Sequence, residues 1–185
     1  MADQVQPNAP ETAVPDPAKE QNARLLALLH RLFGEAAFTD VEEPYGLLTV
    51  TTTRERIHEV VAGLQTDQEL QLNFLTTMCG INYPERLNQE LGMIYHLHSL
   101  VHNIRLRIKI FFPLQDPVVP TLTDLYATAN WMEREAYDFF GIIFTGHPNL
   151  IRILNVEDMD YHPMRREYPL EDGTREDKTD LFFGR

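Results

Sequence analysis

Residues 104–110 read Ile-Arg-Leu-Arg-Ile-Lys-Ile, a strict alternation of aliphatic and basic side chains. Side chains of an extended strand point alternately to opposite faces, so this run builds a sheet with one buried and one wet face. Burying each aliphatic contributes about 1.5–3 kcal/mol, so the run cannot sit as a loop. Arg105, Arg107 and Lys109 then share the other face, which is either solvated or set against an acidic partner. Two more strand-like runs, Leu72–Ile81 and Gly92–Val101, precede it, and Asn103–Phe112 bounds the alternating run itself.

Helical periodicity appears three times. Leu25, Leu28, Leu29 and Leu32 form a one-sided stripe after Asp16-Pro17, a cap followed by proline at the first helical position, and Gly34 stops it. Ile57, Val60, Val61 and Leu64 mark a second helix over Arg54–Gln65. Thr121-x-x-Asp124 has the form of a capping box and predicts a third helix, with Leu122, Leu125, Tyr126, Ala129, Met132, Ala136, Tyr137 and Phe140 on one face and Gly141 at its end. Ala36–Glu42 and Leu47–Thr51 read as strands joined by a turn at Pro44-Tyr45-Gly46. Pro113, Pro117 and Pro120 end the sheet region. The expected fold is α+β: a two-layer domain over 16–144 with a mixed, largely antiparallel sheet covered by helices. A Pro-rich tail, 1–15, precedes it, and an extended C-terminal segment, 145–185, follows.

The net charge of −12 disfavours nucleic acid and anionic lipid as direct partners. No apolar run approaches the ~20 residues that span a bilayer. The first residues lack the basic and apolar regions of a secretory signal and the Arg-rich character of a transit peptide, so the chain is expected to stay where it is made. Cys79, the single cysteine, lies in an apolar run and reads as core filler. It cannot ligate a cluster that needs about four thiolates.

Three constellations remain. His96, His98 and His102 share strand parity, and a stand-alone metal enzyme built on them is one reading. No paired cysteines and no His-Glu-x-x-His motif accompany them. Glu133 falls within the apolar stripe of the third helix, whereas Glu135 does not. Arg134 and Asp138 are spaced for an i,i+4 pair, so Glu133 must find another partner, Arg152 or a neighbouring protein. The segment after Gly141 carries His147, Pro148, Arg152, His162, Pro163, Arg165, Arg166, Tyr168 and Pro169 amid Leu150, Ile151, Ile153, Leu154, Met164 and Leu170. A solvated linker does not need those apolar residues. Arg and Tyr are frequent at interfaces, so the segment reads as a docking strip.

These same residues carry a resemblance. Glu133-Arg134-Glu135, Asp138, Phe139-Phe140, Gly141, His147-Pro148 and Arg152-Ile153-Leu154, followed by His162-Pro163-Met164-Arg165-Arg166-Glu167-Tyr168-Pro169, resemble the signature region of the 30 kDa subunit (NuoC type) of proton-pumping NADH:quinone oxidoreductase, respiratory complex I. Ile151, Met159 and Tyr161 depart from that pattern, where a basic residue, Trp and Gly are usual. The resemblance implies a non-catalytic structural subunit of the peripheral arm, with no cofactor of its own. FMN and iron–sulfur clusters would lie in other subunits of the complex. Its implied partners are the quinone-site subunit and the subunit that bears the last cluster. Membrane contact would come only through the complex, at the cytoplasmic face of a bacterial inner membrane. A related membrane-bound hydrogenase or another donor dehydrogenase uses similar subunits, and a free acidic adaptor is a further alternative. On this reading the strip is ordered only against its partner, and Arg165 and Arg166 meet that partner's carboxylates.

Overall fold

A computed structural model describes residues 17–168, so the reading of 1–15, Asp16 and Pro169–Arg185 lies outside the described residues. The order is α1 (Pro17–Phe33), β1 (Asp40–Glu42), β2 (Thr49–Thr52), α2 (Ile57–Thr66), β3 (Phe74–Asn82), β4 (Leu91–Ser99), β5 (Ile104–Phe112), β6 (Val118–Pro120), α3 (Ala129–Phe140) and β7 (Ile143–Thr145). Strands β1–β5 form one sheet in the order β1-β2-β5-β4-β3. All its pairings are antiparallel except β2 with β5, so the sheet is mixed and the α+β expectation holds.

The alternation in β5 does what its pattern requires. Leu106, Ile108, Ile110 and Phe112 are buried, opposite Leu97, Tyr95, Met93 and Leu91 of β4. The stripes of α1 and α2 close over this face: Leu25 and Leu29, then Ile57, Val60, Val61 and Leu64, all join one core. Leu32, the fourth member of the α1 stripe, stays partly exposed. Gly34 ends α1 with φ 78°, a backbone state that costs a side-chain-bearing residue energy.

Several boundaries differ from the sequence reading. Residues Glu35–Ala37 form a 3-10 turn, so the first strand begins only at Asp40. Cys79 is exposed on the wet face, not core filler, because strand parity places its neighbours Met78 and Gly80 inward. The proline-punctuated stretch is not the end of sheet structure: β6 pairs in parallel with β7 in a second, two-stranded sheet. Thr121 does not open a helix, and α3 starts at Ala129. Its hydroxyl is instead committed to Glu133, 2.6 Å away.

Candidate docking site at the end of the third helix

An α-helix ends with carbonyls that have no partner within it. At the C-terminus of α3 each one is claimed. Gly141 N–H donates to the Tyr137 carbonyl at 2.8 Å. Arg152 Nη1 and His162 Nδ1 donate to the Asp138 carbonyl at 3.1 and 3.0 Å. Met164 N–H donates to Phe139 at 3.1 Å, and Arg165 Nε to Phe140 at 2.7 Å. Arg152 and Arg165 also complement the negative end of the helix dipole. Thus much of the basic content of the strip caps its own domain.

Asp138 is the centre of this cap. Its side chain is wholly buried, and that of Arg152 is 9% exposed. Oδ1 accepts from Arg152 Nη1 at 2.7 Å and from Asn155 Nδ2 at 3.1 Å. Oδ2 accepts three successive backbone N–H groups, Ile153, Leu154 and Asn155, at 3.1, 2.8 and 2.9 Å. Burial alone would raise the pKa of this carboxyl. The Asn155 and Leu154 amides and the Arg152 guanidinium outweigh that and hold it far below the usual carboxylate range. Arg152 Nη2 donates onward to the carbonyls of Met159 and Tyr161, at 2.7 and 2.9 Å. One ion pair therefore fixes the backbone from 152 to 161 without any strand or helix.

Two other signature residues hold the strip along α3. Arg134 donates to the carbonyls of Ile151 and Arg152, at 3.1 and 3.0 Å, and lies over the Trp131 ring. The expected Arg134–Asp138 pair is absent because Asp138 faces the buried cap and Arg134 the strip. His147 donates from Nε2 to the Asn130 carbonyl at 3.1 Å, while its Nδ1 accepts from Asn149 N–H at 3.0 Å. Tyr168 packs its ring against Tyr161, 4.9 Å between centroids.

Glu133 takes a different route from the one expected. Among the described residues its buried carboxyl meets neither Arg152 nor any other cation; it accepts from Thr121 Oγ1 at 2.6 Å and Leu122 N–H at 2.7 Å. Burial pushes its pKa up to about 7, against those two hydrogen bonds. Nearby, the buried Tyr95 hydroxyl has no hydrogen-bond partner among the described residues. This acid pins the β6–α3 connection to the helix; it does not line an open cleft with a nucleophile.

Arg165 and Arg166 behave unequally. Arg165 is spent on the helix cap. Arg166 is largely exposed, with a long contact to Glu85 at 3.6 Å as its one ion pair among the described residues, and its N–H donates to Asn82 Oδ1. Glu135 is exposed on α3, and Pro148 is exposed in the bend after β7, while Pro163 is half-buried beside His162. Pro169 lies outside the described residues.

Gly141 has φ +72°, and a Cβ there would collide with the His162 ring and with Arg165 Nη2. We expect Gly141→Ala to lower stability by about 1–3 kcal/mol, from backbone strain plus overpacking. Urea unfolding measures it; an unchanged midpoint would show that the strip does not close on this glycine.

Outside the cap, several large apolar side chains remain exposed beside charged ones. Trp131, Ile151, Leu154, Val156 and Met164 are 48–66% exposed, on α3 and on the strip fastened to it. Sequence reasoning named the strip residues but missed Trp131 and Val156, which no periodic signal marks. The histidines do not converge: His96 bonds Arg107 on the sheet, whereas His102 meets the Gln68 carbonyl. Among the described residues no group of three metal-ligating side chains occurs.

The family described as respiratory-chain NADH dehydrogenase, 30 Kd subunit, matches residues 50–174. The C subunit of the NADH-quinone oxidoreductase of a Nocardioides species is 42% identical over 125 residues, covering 68% of this chain and 50% of that protein. Its counterpart from Mycolicibacterium gilvum is 41% identical over 141 residues, covering 74% and 62%. The chain thus spans about half to three fifths of the length of these curated relatives. A solved structure described as Nqo5 of the trypsin-resistant fragment (1-134) superposes with TM-score 0.60 at 32% identity, over 70% of this chain and 99% of that one. A chain of an archaeal membrane-bound sulfane sulfur reductase superposes with TM-score 0.66 at 17% identity, over 81% and 86%, which shows a shared fold alone. With the family match spanning 50–174, the chain belongs to the respiratory-chain NADH dehydrogenase 30 Kd subunit family.

Proposed function

We propose that this chain is a non-catalytic structural subunit of the peripheral arm of an NADH:quinone oxidoreductase, complex I. It supports the quinone-site subunit and the subunit bearing the last cluster while electrons pass from NADH to quinone. FMN and the iron–sulfur clusters sit in other subunits. The chain reaches the membrane only through the complex, at the cytoplasmic face of a bacterial inner membrane; among the described residues no helix is long and apolar enough to cross one.

The observation that carries this reading is the division of labour in the strip. Arg152 and Arg165 are turned onto the end of α3, while Ile151, Leu154, Val156 and Met164 stand exposed. A set of exposed apolar side chains on a fixed backbone marks a protein contact. Holding the backbone in place beforehand lowers the ordering cost of association. The trypsin-resistant fragment of the Nqo5 relative supports the view that the α+β core is a stable unit on which such a strip is mounted.

Two substitutions test it. Ile151→Asp and Leu154→Asp change exposed side chains, so stability should stay within about 0.5 kcal/mol of the parent chain. Losing two apolar anchors should weaken association tenfold or more, at ~1.4 kcal/mol per decade. Affinity purification of the tagged full chain from membranes, with quantitation of copurifying subunits, gives the readout. Undiminished recovery would mean that the strip is not the contact. An NADH- and flavin-binding subunit among those recovered separates complex I from a hydrogenase or another donor dehydrogenase.

A further inference from the structure

The wet face of the sheet holds a second set of groups that the cap does not explain. On β4 and β5, His98 stands opposite Arg105 and His96 opposite Arg107. Arg107 Nε donates to His96 Nε2 at 2.9 Å. A guanidinium can only donate, so His96 Nε2 is the acceptor and the ring proton sits on Nδ1. That Nδ1 is buried and has no partner among the described residues, and neither has the buried Nε2 of His98. Burial and the Arg107 guanidinium both lower the His96 pKa, in keeping with a neutral ring.

Arg105 is exposed and, among the described residues, engages no carboxylate. Lys109, the third base of the row, is already held by Glu42 at 2.8 Å. Between the strands opens a cleft of about 250 Å³ lined by Leu47, Thr76, Thr77, His96, His98 and Arg105, among others. No helical residue lines it. The lining therefore brings together a guanidinium, two imidazole rings and two hydroxyls, and among the described residues no carboxylate.

We propose that this cleft is a second interface, where Arg105, His96 Nδ1–H and the Thr76 and Thr77 hydroxyls receive a carboxylate side chain from an acidic segment of a neighbouring subunit. The inference rests on the reading of the chain as a structural subunit. Its volume falls below the ~300–1,000 Å³ of small-molecule sites, which suits one or two peptide side chains. An orphan buried donor costs roughly 1–3 kcal/mol, which an incoming carboxylate recovers.

The test uses the assembled complex. Arg105→Lys keeps the charge and supplies an amine for carbodiimide coupling. We expect the amine introduced at position 105 to form an amide with an Asp or Glu of another subunit, identified by mass spectrometry of the cross-linked peptides. Arg105→Glu should cut retention of that subunit about tenfold in 150 mM salt, with thermal unfolding of the isolated chain unchanged. A link only to this chain's own carboxylates, or no link while the other subunits are retained, overturns this inference alone. Failure of the unsubstituted chain to bring down any subunit overturns the structural-subunit reading with it.

Discussion

Asp138→Ala is expected to destabilise the chain by about 3–5 kcal/mol, the range for breaking one side of a buried ion pair. The substitution strands the Arg152 guanidinium, whose side chain is 9% exposed, and leaves three backbone N–H groups at 153–155 unpaired. Asp138→Asn should fall between, because its amide turns an N–H₂ toward donors. Urea unfolding gives the magnitude, and hydrogen exchange of the Ile153, Leu154 and Asn155 amides gives the location. Exchange should accelerate there first while β4 and β5 stay protected. The pKa of Asp138 is lower in the folded chain, so its contribution is complete above the ordinary value of 3.8 and fades as pH falls below it. A loss below 1 kcal/mol, or unchanged exchange at 153–155, would mean that the strip is held by something else.

Glu133 should give the opposite pH dependence. Its pKa is raised from 4.5 to about 7, so the folded chain holds the proton more tightly than the unfolded one. The associated stability is present in full below about 4.5, declines as pH rises toward 7, and then levels off. The shift from 4.5 to about 7 corresponds to about 3 kcal/mol, an upper bound for the decline. Glu133→Gln keeps the acceptor for Leu122 N–H and places an amide donor toward Thr121 Oγ1, which hands its own proton to Thr123 Oγ1, 2.9 Å away. The variant should therefore match the parent near pH 4.5, exceed it at pH 8, and lose this slope. Equal stability of the two at both pH values would show that Glu133 stays ionised.

The sheet and the first two helices are legible in the sequence because each rests on a simple period. Ile104 to Ile110 alternate, and Ile57, Val60, Val61 and Leu64 repeat every three to four residues; both patterns lie where the structure needs them. Reading failed where one residue serves a distant one. Thr121 looks like a helix cap because Asp124 follows at the right spacing, yet its hydroxyl is taken by Glu133 twelve positions later. Strand β6 escaped notice because it is three residues long and ends on a proline, at the edge of a two-stranded ribbon. In the strip, part of the basic content that reads as partner-facing is turned onto the chain's own helix end. Arg152 and Arg165 satisfy helix carbonyls that only the tertiary arrangement reveals. Ordering of residues 152–161 by one buried carboxylate leaves no periodic trace, so the strip reads as unordered without a partner.

On the proposed function, the outward apolar residues beside this cap are where the chain meets its neighbours. Hydroxyl-radical footprinting of Trp131 and Met164, compared between the isolated chain and the membrane-extracted assembly, tests it most directly. Both side chains stand more than half exposed in the free chain, and both should lose most of their reactivity in the assembly. Equal oxidation of the two in both states, with the other subunits present, would contradict the account.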